Sequence, residues 1–83
     1  MPIPDYQSIM LPLLLFSNDA KEHSSRDAIN SLSEQFGLTD EDRKELLPSG
    51  KQAVFDNRVG WARTYLKKAG LIESQKRGFF NIT

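Results

Sequence analysis

Eighty-three residues without a single cysteine, with 11 acids balanced by 11 bases, suffice for one hydrophobic core and leave no room for a second. A disulfide framework and a zinc site built on thiolates are excluded, and the cysteine-free composition fits a reducing compartment. The one apolar run, residues 9–16, is too short to span a bilayer, and the acidic, proline-containing start without a basic flank argues against a cleaved leader, so the expectation is a soluble cytoplasmic protein with no membrane partner.

In chain order, Met1 to Pro4 reads as an extended lead-in, because each proline pushes the residue before it away from helical geometry. Asp5 is an N-cap for a helix that carries Tyr6, Ile9, Met10, Leu13, Leu14 and Phe16 at helical spacing. Pro12 interrupts this stripe at a cost of about 3 kcal/mol for a mid-helix proline. The stripe nevertheless continues through Leu13 and Leu14, which favours one kinked helix over a short turn. Ser17 to His23 reads as a turn-rich connection, and the lone His23 as a surface residue without a carboxylate partner or a catalytic role.

Ser24 or Ser25 caps a second helix running to Phe36, with Ala28, Ile29, Leu32 and Phe36 as its core stripe and Gly37 as its stop. Thr39, followed by acids, caps a short third helix, and Leu38, Leu46 and Leu47 are expected to pack back on the domain. Pro48-Ser-Gly50 breaks the chain.

The longest predicted helix covers 53–69, starts between Lys51 and Phe55 and closes at Gly70. Phe55, Val59, Ala62, Leu66 and Ala69 form its core side, while Asn57, Gly60, Thr64, Lys67 and Lys68 lie opposite. Arg58, Trp61 and Tyr65 occupy one flank and Asp56 and Arg63 the other, with Trp61 expected as a packing residue at the core boundary. Leu71–Ser74 and Phe79–Thr83, joined by Gln75-Lys-Arg-Gly78, read as a hairpin whose Leu71 or Ile72, Phe80 and Ile82 face the core.

This order of elements predicts an α+β, mostly α fold: a winged helix, with a helix-turn-helix core and a C-terminal β-hairpin wing, forming a single domain over 1–83. The zero net charge hides a split. Residues 1–47 hold nine acids against four bases, a net −5, whereas residues 48–83 hold seven bases against two acids, a net +5. A positive second half, with a polar helix face and Lys76-Arg77 at the hairpin tip, points to phosphate recognition and hence to duplex DNA as the partner.

Several stretches carry a family resemblance: the start Met1-Pro-Ile-Pro-Asp-Tyr6 with Met10-Leu-Pro-Leu-Leu14, Phe36-Gly-Leu-Thr-Asp-Glu-Asp-Arg43, Glu45-Leu-Leu-Pro-Ser-Gly-Lys51, the run from Asn57 to Ile72, and Arg77-Gly-Phe-Phe-Asn-Ile-Thr83. Together they resemble the N-terminal domain of Mrr-type restriction endonucleases over nearly the whole chain. The resemblance implies a winged-helix DNA-binding domain that precedes a separate nuclease domain acting on methylated or otherwise modified DNA. That nuclease half is of the PD-(D/E)xK type, and Asp42-Arg43-Lys44, the one approach to its motif, falls in a predicted helix with no strand around it. The chain stops at the end of the predicted wing strand, which reads as an excised domain or a truncated copy.

The candidate DNA-binding residues are Lys51, Asn57, Arg58, Arg63, Thr64, Lys67, Lys68, Lys76 and Arg77, with the cations on phosphates and Asn57 and Thr64 suited to bases or phosphates. Arg58 has an alternative partner in an acid of the first half. No nucleophile-base pair, acidic metal cluster or cofactor motif is visible, so catalysis, metal and cofactor are not expected from this chain. A second reading stays open: a protein-interaction winged helix that docks on its own nuclease domain or on a second copy through Tyr6, Trp61 and Tyr65.

Overall fold

In the computed structural model, which describes residues 3–83, the helix interrupted by Pro12 is a single element, α1 (Tyr6–Phe16). The extended lead-in expected from Met1 lies outside the described residues at Met1 and Pro2. The Asp5 carboxylate caps α1 by accepting the Ser8 N–H at 2.8 Å. At the far end the buried Ser17 hydroxyl donates to the Leu13 carbonyl at 3.0 Å. The stripe through Pro12 persists because Ile9 and Leu13 on either side of it are fully buried, and burial of two such side chains, about 1.5–3 kcal/mol each, offsets the lost backbone donor.

A two-residue strand, β1 (His23–Ser24), follows where a turn-rich connection was expected. Ser24 caps α2 (Ser25–Gln35), its hydroxyl accepting the Asp27 N–H at 3.0 Å. Gly37, at φ 68°, ends α2 with a paired motif: its own N–H donates to Glu34 O, and the Leu38 N–H to Ser33 O, both at 3.0 Å. Thr39 and Asp42 then cap α3 (Asp40–Lys44) reciprocally, side chain to backbone in both directions. After the Pro48–Gly50 turn comes α4 (Val54–Lys68), which has no side-chain cap at Ala53; the Val54 N–H donates to Glu45 O instead.

Gly70, at φ 77°, closes α4 in the same manner as Gly37 closes α2, with its N–H on Lys67 O and the Leu71 N–H on Leu66 O. β2 (Ile72–Glu73) and β3 (Phe79–Ile82) complete an antiparallel three-stranded sheet in the order β1-β3-β2, with Ile72 opposite Ile82 and His23 opposite Phe80. The architecture is α+β: four helices on one small sheet.

One core joins all of these elements. Ile9 and Leu13 of α1, Ala28, Ile29 and Leu32 of α2, Phe55, Val59, Ala62 and Leu66 of α4, and Ile72 and Phe80 of the sheet are buried together. Three expectations need correction. Ala69 is exposed, because the closing turn at Gly70 carries it off the stripe. Leu46 is 54% exposed, since it sits in an isolated bridge to Ala53 at the domain edge while Leu38 packs inward. Of the two residues offered for the core side of the hairpin, Leu71 and Ile72, Ile72 takes it and Leu71 faces solvent, as the register of β2 dictates. His23 has a carboxylate partner after all: its Nε2 lies 2.8 Å from Asp19 Oδ1, and its ring lies against Phe16 at 4.5 Å between centroids. Among the described residues no helix is long and apolar enough to cross a membrane.

Candidate nucleic-acid interface

Burying one side of α4 against α1, α2 and the sheet forces the other side outward, and three concavities lie along it. A shallow depression of about 280 Å³ is bounded by Gln52, Asn57, Gly60, Trp61, Arg63 and Thr64. Here the Asn57 side-chain amide donates to Gln52 Oε1 at 3.2 Å, and the Thr64 hydroxyl donates to the Gly60 carbonyl at 3.0 Å, leaving its lone pairs outward. A larger cleft of about 470 Å³ separates the second half of α4 from β2, with Arg63, Thr64, Lys67 and Lys68 on the helix wall and Glu73 and Ser74 on the strand wall. The third is a cleft of about 140 Å³ between the start of α2 and α4, floored by core side chains and rimmed by Gln52, Asp56, Gly60 and Arg63.

Arg63 lines all three. Its side chain is half-buried and has no hydrogen-bond or ion-pair partner among the described residues; Asp56, one turn pair away on α4, is engaged by Arg26 at 3.5 Å. A guanidinium held in place by its stem, with its donors unengaged, is suited to bidentate contact with a phosphate or a guanine edge.

The remaining candidates divide. Lys67 and Lys68 are exposed in the last turn of α4, where cations complement the helix dipole, and the Lys68 ammonium lies 5.8 Å from the Tyr65 ring centroid. Lys76 at the hairpin tip lies over the Phe79 ring at 4.3 Å and 3.7 Å from Glu22 Oε1, an exposed pair of small energetic weight that a phosphate can displace. Lys51 and Arg77 are exposed in turns at the two ends of this surface, outside the three concavities. Arg58 is different. Its guanidinium donates to the carbonyls of Ile3 (2.7 Å) and Pro4 (3.3 Å), so it ties the lead-in to α4, and its charge, second to the Ser8 hydrogen bonds, also helps lower the nearby Asp5 carboxyl.

Trp61 also departs from expectation: it is 50% exposed, tilted against Tyr65 at 6.2 Å, and not a boundary packing residue. Its neighbour Tyr65 takes the packing role by stacking on Tyr6 of α1 at 4.9 Å. Two contributors went unread in the sequence, Gln52 and Ser25. Gln52 precedes α4 and shares the depression with Asn57, a placement signalled only by its proximity to the helix start. Ser25 lines the small cleft with a buried hydroxyl that has no hydrogen-bond partner among the described residues, a condition costing about 1–3 kcal/mol and without any sequence signal.

Gly60 stands between the depression and the small cleft. A Cβ added there would meet nothing within 4 Å, and a mid-helix glycine costs about 1 kcal/mol relative to alanine, so the free fold supplies no reason for it.

The perturbed carboxylates serve local structure. The Asp42 carboxyl is held below the ordinary range mainly by the Thr39 backbone N–H, and Arg43 donates to Asn30 Oδ1 at 2.6 Å, so Asp42-Arg43-Lys44 serves as a helix cap and an inter-helix tie. Asp5 is lowered by the Ser8 N–H and hydroxyl, and Asp19 by the Lys21 N–H and then His23. Among the described residues no group of three or more His, Cys, Asp or Glu is placed to hold a metal ion.

Residues 6–83 match the Mrr N-terminal domain family. The chain is 36% identical over 84 residues to the type IV methyl-directed restriction enzyme EcoKMrr of Escherichia coli strain K12, a similarity that covers 100% of this chain and 27% of that enzyme. It therefore spans about a quarter of the length of this curated relative. No solved structure matches it significantly.

Proposed function

Because the chain belongs to the Mrr N-terminal domain family, we propose that it is the DNA-binding module of a restriction-system protein, a winged-helix domain that holds duplex DNA for a nuclease domain elsewhere in a longer parent. The parent would be a restriction endonuclease, a hydrolase, in keeping with the E. coli relative, which is named a type IV methyl-directed restriction enzyme. The order helix, strand, three helices and hairpin, with β3 between β1 and β2, supports the winged-helix reading, since β1 anchors the hairpin next to the start of α2.

The observation that carries the reading is the outward side of α4. Asn57, Thr64, Lys67 and Lys68 on the outward face, with Arg63 on its flank, open onto two concavities that share Arg63 and Thr64, and the Lys76-Arg77 hairpin tip adds two further cations. On this reading α4 enters the major groove, Asn57 and Thr64 meet base edges or phosphates, and Arg63, Lys67, Lys68, Lys51 and the wing cations neutralise phosphates and release counterions. Arg58 is left out, because its donors hold the lead-in.

Titrating the domain with a fluorescent duplex, methylated and unmethylated, at two salt concentrations tests this. Salt-sensitive binding supports the module, and a preference for the methylated duplex adds recognition to anchoring; no binding at low salt sinks it. One observation favours a second reading: Trp61, Tyr65 and Leu71 are large, apolar and exposed near the end of α4. A domain docking its nuclease half through this patch would instead associate in a salt-tolerant way and lose association on Trp61→Ala.

A further inference from the structure

We propose that Glu73, on the β2 wall of the cleft facing the second half of α4, is a specificity-determining residue: its carboxylate accepts from the N4 amino group of a cytosine in the major groove and repels phosphates. This rests on the DNA-binding reading above.

The fold itself does not account for the charge of Glu73. Arg63, Lys67 and Lys68 line the cleft of about 470 Å³, and Glu73 is the one acid on its walls. It is exposed, and it joins none of the ion pairs among the described residues, which are His23 with Asp19, Arg26 with Asp56 and Lys76 with Glu22. The cleft also runs beside the last turn of α4, where the helix dipole disfavours a negative charge. What holds the side chain in place is a cross-strand bond: Asn81, directly opposite on β3, donates from Nδ2 to Glu73 Oε1 at 3.1 Å. A glutamine would accept that bond as well, so the fold needs the shape of this side chain and not its charge.

Duplex DNA gives the charge a use. A carboxylate only accepts hydrogen bonds, and phosphate oxygens and most base-edge atoms are acceptors too. The donors on the major-groove edges are the amino groups of cytosine and adenine. Adenine N6 lies beside the N7 acceptor of the same base, which repels a carboxylate, whereas cytosine presents its N4 amino group with no acceptor of its own beside it. Cytosine is therefore the edge that fits. The position agrees, because Thr64, which the reading above sets against bases or phosphates, lines the same cleft as Glu73. Toward phosphates the charge is repulsive, so Glu73 weakens binding to any duplex that brings no such amino group to it.

Selection from a pool of random-sequence duplexes, followed by anisotropy titration of selected and unselected duplexes at about 50 mM salt, tests this with wild type, Glu73→Gln and Glu41→Gln. Wild type should enrich cytosine at one position, and replacing that C·G pair by T·A should weaken binding at least about fivefold. Glu73→Gln should lose the enrichment at that position alone and bind unselected duplex about two- to fivefold more tightly than wild type. Its melting temperature should stay at the wild-type value, since the bond from Asn81 survives. Glu41→Gln removes the same charge from α3, outside the three concavities, and should leave both readouts as in wild type. A cytosine preference that survives Glu73→Gln, a selection that enriches adenine or no base there, or a Glu73→Gln affinity for unselected duplex no higher than wild type overturns the assignment of Glu73 alone. Absence of salt-dependent duplex binding in wild type overturns the DNA-binding reading beneath it.

Discussion

Neutralising Lys67 and Lys68 together isolates the electrostatic part of the account. If Lys51, Arg63, Lys67, Lys68, Lys76 and Arg77 each meet a phosphate, the slope of log K against log salt is about −5.4, and Lys67→Gln with Lys68→Gln brings it to about −3.6. Between about 50 and 200 mM salt the wild type then loses about 1,800-fold in affinity and the variant about 150-fold. The fold tolerates the change. Both lysines are exposed, and the losses are their complement to the helix C-terminus and the Lys68 contact with Tyr65 at 5.8 Å, together about 1–2 kcal/mol. Fluorescence anisotropy with a labelled duplex across a salt series reads the slopes, and circular dichroism confirms that both proteins are folded at the working temperature. A variant slope equal to that of wild type would refute phosphate contact by these lysines, whatever the affinity.

The other predictions are structural. Arg58→Met removes the donors to Ile3 and Pro4 and should lower stability by about 1–3 kcal/mol in urea denaturation, while the salt slope of DNA binding stays unchanged. Phe55→Ala empties the fully buried centre beneath α4 and should cost about 3–5 kcal/mol in the same assay. Asp5, Asp19 and Asp42 all titrate below the ordinary aspartate value of 3.8 in the folded state, so each stabilises above that value, and stability should fall as pH drops below it, read as a melting temperature that declines only in strong acid. Asp42→Asn should flatten part of that decline.

Local chemistry was readable from the sequence because it acts over three or four residues. Asp5, Ser24 and Thr39 cap as their types require, and Gly37 and Gly70 take the left-handed backbone that ends each helix. What escaped lives on long-range contacts. β1 exists only because His23 and Ser24 meet Phe80 and Phe79, more than fifty residues on, and two residues carry no periodicity of their own. Arg58 looks like any basic flank residue until the lead-in, 54 and 55 residues earlier, is folded beneath it. Trp61 and Tyr65 share a flank of α4, yet only Tyr65 is covered by Tyr6, a difference that depends on where α1 begins. The small cleft draws on α1, α2, α4 and β3 at once, so the place of Ser25 and Gln52 in it appears only after the fold is assembled.

The most direct test of the central claim is amide chemical-shift mapping of the isotope-labelled domain on adding duplex DNA at low salt. The account predicts perturbations concentrated at Asn57, Gly60, Arg63, Thr64, Lys67 and Lys68 and at the Lys76-Arg77 tip, fading as salt is raised. Perturbations centred on Leu11 and Leu15 of the outer side of α1, or none at any salt, would contradict it.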